Sequence, residues 1–116
     1  MTKQTSAEYF EENHYIKIEN FISKETASFL YSYVKMAADR LAYAEYHLPN
    51  FDKNFFGTFE DEQAPGDYSK YGDLTFDTLL AHKLPEMEHY TGKKLIPTYS
   101  YHRLYTTDTE LKRHKD

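Results

Sequence analysis

The chain has 116 residues, 40% of them apolar, a formal net charge of -5 and no cysteine. That length fits one small domain, residues 1–116, and the lack of cysteine excludes disulfides and thiolate metal sites. The mild acidity removes any broad attraction to nucleic acid or to an anionic membrane, so neither is expected as a partner. Aromatic residues make up 17%, with 12 Tyr, 8 Phe and no Trp, so burial rests on amphipathic rings whose hydroxyls need partners or water. Residues Met1 to Ser6 lack the apolar core of a signal peptide, and no stretch approaches the roughly 18 apolar residues of a membrane span. A soluble, cytoplasmic protein is the expectation.

The first organised segment is Tyr15-Ile16-Lys17-Ile18, whose alternation of apolar and polar residues predicts a half-buried strand. Ser23 is placed to cap a helix with Glu25 in its first turn. From there Ala27, Leu30, Tyr31, Val34, Ala38 and Leu41 recur at the spacing of one helical face. Between His47 and Gly72 the residues Pro49, Gly57, Pro65 and Gly66 and the acids Glu60, Asp61 and Glu62 break any long period, which predicts a loop. Phe51, Phe55, Phe56 and Phe59 make that loop too apolar for a solvated linker, and it is expected to pack on the domain. Asp73 can cap a helix from Leu74 to Ala81. Pro85 then either starts a second helix, running to Tyr90 and stopped by Gly92, or kinks a single one.

From Leu95 to Thr106 the pattern turns to β, with Tyr99, Tyr101, Arg103 and Tyr105 on one face and Ile96, Thr98, Ser100, His102 and Leu104 on the other. Spacing alone makes the tyrosines a core stripe. A lone strand histidine such as His102 is more often a packed or surface residue than a ligand, and a structural ion pair is the default for Arg103. His82 and His89 lie seven apart, but Pro85 between them argues against a shared metal face. Thr106 to Glu110 reads as a turn, and Leu111 starts another extended run that reaches His114-Lys115-Asp116. On an extended segment His114 and Asp116 share a face, so imidazole and carboxylate can take neighbouring positions on one divalent metal. The competing reading of Lys112 to Lys115 is a solvated basic tail. The element order, helices leading into strands, argues an α+β domain.

The stretch from Leu95 to Asp116, an aromatic strand of Tyr-x-Arg-x-Tyr character, a polar turn and then His-x-Asp, resembles the entry to the metal site of the 2-oxoglutarate and Fe(II)-dependent dioxygenases, in particular their prolyl-hydroxylase-like branch. The resemblance implies N-terminal helices leading into the first strands of a double-stranded β-helix of jelly-roll or cupin type, incomplete within these residues. It implies His114 and Asp116 as Fe(II) ligands and Tyr105, nine positions before His114, as a contact to 2-oxoglutarate. Leu111 stands where some members carry a second tyrosine.

The implied cofactors are Fe(II) with 2-oxoglutarate as cosubstrate, and ascorbate as an accessory reductant. The implied reaction hydroxylates a small-molecule or peptide substrate while 2-oxoglutarate is decarboxylated to succinate. The family's distal histidine and its basic partner for 2-oxoglutarate have no counterpart in residues 1–116. The expectation is therefore an N-terminal portion of such a domain, inactive by itself, with the Phe51 to Phe59 loop as a candidate lid. The alternative from another class is a non-catalytic, aromatic-rich interaction module that binds a partner through its Phe-rich loop and an open strand edge. For the barrel portion, self-association through unpaired strand edges is also expected.

Overall fold

The computed structural model describes residues 3–106 and contains helices with one two-stranded antiparallel sheet. The chain opens with a helix that periodicity did not suggest, α1 (Ser6–Asn13). Its start is a reciprocal cap: the Thr5 side chain accepts from the Glu8 backbone N–H at 3.1 Å, and its hydroxyl donates to the Glu8 carboxylate at 3.0 Å. Thr-x-x-Glu is the sequence signature of that cap. The helix ends where His14 takes a left-handed conformation at φ 65°.

The expected strand Tyr15 to Ile18 does not form. Ile16 and Ile18 are half-buried while Tyr15 and Lys17 are exposed, so the alternation does describe one-sided packing. Among the described residues no neighbouring strand pairs with it, and without a ladder the segment is an extended connection. Beyond it the chain is held by a side chain: the Lys83 ammonium donates to the Phe21 carbonyl at 2.8 Å and lies 4.8 Å from the Phe21 ring centroid.

The long helix α2 (Lys24–His47) begins at Ser23, whose hydroxyl accepts from the Thr26 N–H at 3.1 Å. It runs past Leu41 until Leu48 turns extended before Pro49, which cannot continue a helix. Its buried stripe is Val34, Ala37, Leu41 and Ala44, a three-four-three spacing that points one narrow face inward. Leu41 is fully buried, worth about 1.5–3 kcal/mol of burial on its own. Earlier positions of the expected stripe, Ala27 and Tyr31, are exposed.

The loop after α2 packs as its phenylalanines require. A short turn, α3 (Lys53–Phe56), lays Phe51 and Phe56, with Phe59 beyond it, against the core of Val34, Ala37, Leu41 and Tyr68, while Phe55 stays exposed. Gly57 comes next at φ 96°, and a side chain there would meet the Ser69 carbonyl and the Tyr68 ring, both at 2.7 Å. The loop then enters β1 (Ser69–Tyr71).

Helix α4 (Leu74–Thr91) passes through Pro85 without a break, so the two tandem pieces are one helix. Pro85 sits on its exposed side, where the carbonyl left without a backbone donor can face solvent. Gly92 ends it at φ 69°, and a Cβ there would lie 2.8 Å from that of Ala7, which is how closely α1 packs on α4.

The last strand, β2 (Tyr101–Arg103), is much shorter than the expected Leu95 to Thr106. Pro97 has no N–H to give a ladder, and side chains of α4 take the donors around it. Glu88 accepts from the Leu95 N–H at 2.9 Å, and Asp77 accepts from both the N–H and the hydroxyl of Ser100 at 2.9 and 2.7 Å. β2 pairs antiparallel with β1 in the register Ser69–Arg103, Lys70–His102 and Tyr71–Tyr101. The faces are also the reverse of a tyrosine core. His102 and Lys70 are buried, while Tyr99, Tyr101 and Tyr105 are exposed.

Candidate functional site

Three residues carried the sequence reading of a site, and their positions differ. Tyr105 lies just past β2, exposed, with the Arg103 guanidinium 5.9 Å from its ring centroid. His114 and Asp116 lie outside the described residues. Among the described residues no group of three or more His, Cys, Asp or Glu side chains is arranged to hold a metal. His82 and His89 are both exposed on α4.

The polar side chains that the fold does bring together sit beneath the sheet. Adjacent strands put Lys70 and His102 opposite each other on the inner face, because cross-strand partners point the same way. The turn after β1 then delivers Asp73, the N-cap of α4, to Lys70. One carboxylate oxygen accepts from the Lys70 ammonium at 3.0 Å, the other from the Thr75 N–H at 3.0 Å, and the Tyr33 hydroxyl on α2 lies 2.8 Å from both. Asp73 therefore caps a helix, neutralises a buried ammonium and anchors α2. Burial by itself would raise its pKa, but the hydrogen bonds from Tyr33 and Lys70, the charge of Lys70 and the Thr75 N–H together hold it below the usual carboxylate range.

Beside this cluster His102 stacks on Phe76, with ring centroids 4.6 Å apart, and its Nε2 lies 3.3 Å from the Tyr68 hydroxyl. Burial, then the negative charge of Asp73 and the neighbouring Tyr33, push the Tyr68 hydroxyl up to about 12. Burial also pushes the His102 imidazole down. Asp73 opposes that shift and Lys70 adds to it. Among the described residues His102 Nδ1 is buried without a partner. The ring borders an open apolar cavity of about 280 Å³ walled by Leu30, Tyr31, Val34, Phe76 and Leu104.

The sign of the His102 shift sets a pH dependence. The unfolded chain takes up a proton near the ordinary value of 6.5, whereas the folded chain accepts it only at lower pH. Stability is therefore complete above that value and falls as the pH drops below it, by no more than about 1.4 kcal/mol per pH unit. Urea unfolding compared at about pH 7.5 and about pH 5.5 measures the slope, and His102→Gln is expected to flatten it.

On the outer face Arg103 makes the ion pair expected of it, to Asp61 at 2.9 Å, with the Tyr101 hydroxyl a second partner. Tyr71 and Tyr101 lie across the strands with ring centroids 4.3 Å apart. The Asp61 carboxyl is held below its usual range by the Gln63 N–H first, then by Tyr101 and Arg103.

Sequence reasoning placed Asp73 as a cap and left His102 as either packed or on the surface. It missed Tyr33 as a partner of Asp73, since nothing local joins residues 40 positions apart in the sequence, and it missed Lys70, three residues before Asp73, because the pair meets only once the strand turns Lys70 inward. No family model, curated protein or solved structure matches the chain. No described helix is long and apolar enough to cross a membrane.

Proposed function

We propose that the chain is the N-terminal part of a 2-oxoglutarate and Fe(II)-dependent dioxygenase domain, acting in the cytoplasm on a small-molecule or peptide substrate. His114 and Asp116 are its iron ligands and Tyr105 its contact to 2-oxoglutarate. The observation that carries this is the sequence itself: His-x-Asp nine positions after Tyr105, which comes after an aromatic strand. Two features support it. β2 is paired on β1, so the strand leading toward the motif has a defined register. Tyr105 lies exposed beyond it, where a hydroxyl can meet a ligand.

Imidazole and carboxylate are donors suited to Fe(II), and two of them leave positions open for a bidentate keto acid and O2. When bound, iron and 2-oxoglutarate supply the oxidising chemistry, with ascorbate as an accessory reductant; the chain's own part is to orient and to exclude water. Titration of the chain with Mn(II) as a redox-inert substitute, with and without 2-oxoglutarate, tests the assignment. His114→Ala and Asp116→Ala are each expected to weaken metal binding about tenfold or more, a loss of at least about 1.4 kcal/mol. Tyr105→Phe is expected to weaken only the enhancement by 2-oxoglutarate. Affinity unchanged in His114→Ala would remove the ligand assignment.

A second reading, a non-catalytic interaction module, is favoured by the large apolar side chains left in solvent, Leu74 at 81%, Ile96 at 84% and Tyr46 at 85% exposure. It predicts no metal response in that titration.

A further inference from the structure

Helix α2 carries two apolar faces, and the core uses one of them. Val34, Ala37, Leu41 and Ala44 face inward. Phe29, Met36 and Tyr43, each seven residues from the next, form a second stripe, exposed at 66%, 73% and 58%. Seven residues return a helix to nearly the same angle, so these three side chains stand in one row about 21 Å long. Beside the middle one, Tyr33, Ala37 and Arg40 complete a shallow cavity of about 320 Å³.

We propose that this row is the contact between two copies of the chain, with their α2 helices side by side and antiparallel about a two-fold axis at Met36. The order of residues along the helix selects that occupant. Reading outward from Met36 in both directions pairs Phe29 with Tyr43 and Glu25 with His47. A two-fold axis at the centre of an antiparallel pair makes each of these positions meet its counterpart on the other copy. The aromatic residues then oppose each other, an acid opposes an imidazole at both ends, and no two like charges face across the axis. The complementary order would be lost in a parallel pair, which sets Glu25 on Glu25 and His47 on His47. Arg40 does not obstruct the approach, because its guanidinium is turned to Phe55 and Phe56 at 5.3 Å from each ring centroid. A single helix pair lies at the small end of stable interfaces, about 1,000 Å² in total, so the dimer dissociates on dilution. This contact is separate from the open strand edges and does not depend on the dioxygenase reading.

The chain has no cysteine, so single replacements in the full 116-residue chain report cleanly. Met36→Cys is expected to give a disulfide-linked dimer under mild oxidation. Lys35→Cys, exposed but turned about 100° round the helix, is expected to remain monomeric. Phe29→Cys and Tyr43→Cys are expected to cross-link when mixed and not when alone, whereas a parallel pair would reverse that. In sedimentation the unmodified chain should shift from monomer toward dimer with concentration, and Met36→Lys, a substitution at an exposed helix position, should abolish the shift. A chain that stays monomeric with no Met36→Cys cross-link overturns the proposal. So does a dimer that survives Met36→Lys, which would place the contact elsewhere, as at the strand edges.

Discussion

Asp73→Asn is expected to destabilise the fold by about 3–5 kcal/mol, the cost of removing one partner from a buried ion pair. The amide can still accept from Tyr33 and from the Thr75 N–H, so the cap and the tie to α2 survive in outline. The loss is the negative charge beside Lys70, whose side chain is only 9% exposed and which has the Phe55 ring 5.8 Å away as its other cationic contact. Removing the lysine as well, as Lys70→Met with Asp73→Asn, should recover much of the stability, because no uncompensated charge then remains under the sheet. Urea unfolding of the two single variants and the double variant measures the coupling. Additive losses would show that the pair is not an energetic unit.

Tyr68→Ala should be comparably severe, about 3–5 kcal/mol. Tyr68 is 2% exposed and belongs to the core cluster where Val34, Ala37 and Leu41 of α2 meet the sheet. Its ring also packs edge-on to Phe59, with centroids 6.3 Å apart, so deletion opens a cavity that both the loop and the helix line. Tyr68→Phe separates packing from hydrogen bonding. It keeps the ring and leaves His102 Nε2 without its partner, for a smaller cost of about 1–3 kcal/mol. Thermal or urea midpoints of the pair decide between these contributions, and equal losses would mean that the hydroxyl rather than the ring matters.

Legibility in the sequence tracked how local the cause was. Ser23 and Asp73 each cap a helix through contacts two or three residues away, and Pro49 and Gly92 mark where helices stop; such signals can be read from a short window. The helical α1 was legible too, in Thr5-x-x-Glu8, but eight residues carry too little periodicity to announce it. The loop holding the phenylalanines of 51–59 was readable as packed because so many large rings in a short stretch do not all stay in water; Phe51, Phe56 and Phe59 pack on the core while Phe55 remains exposed. Residues that resembled an oxygenase metal site, His114 and Asp116, are a pattern of sequence, and Tyr105 gained a position just beyond β2.

By itself the sequence determined the long helix, two residues of its buried stripe, Val34 and Leu41, the helix that starts at Asp73 and the packing role of the aromatic loop, but not Ala37 and Ala44, which complete the stripe. Only tertiary structure decided which alternating segments are strands and which way they face. Tyr15 to Ile18 alternates as well as Tyr101 to Arg103 does, yet among the described residues only the latter has a neighbour that supplies its ladder. The sheet turns its tyrosines outward and buries Lys70 and His102, because Asp73, itself held by the Tyr33 hydroxyl of α2, satisfies the ammonium. A β-strand offers two equivalent faces; the partners that come to meet them choose the inside, and those partners are set by the fold rather than by neighbours in the chain.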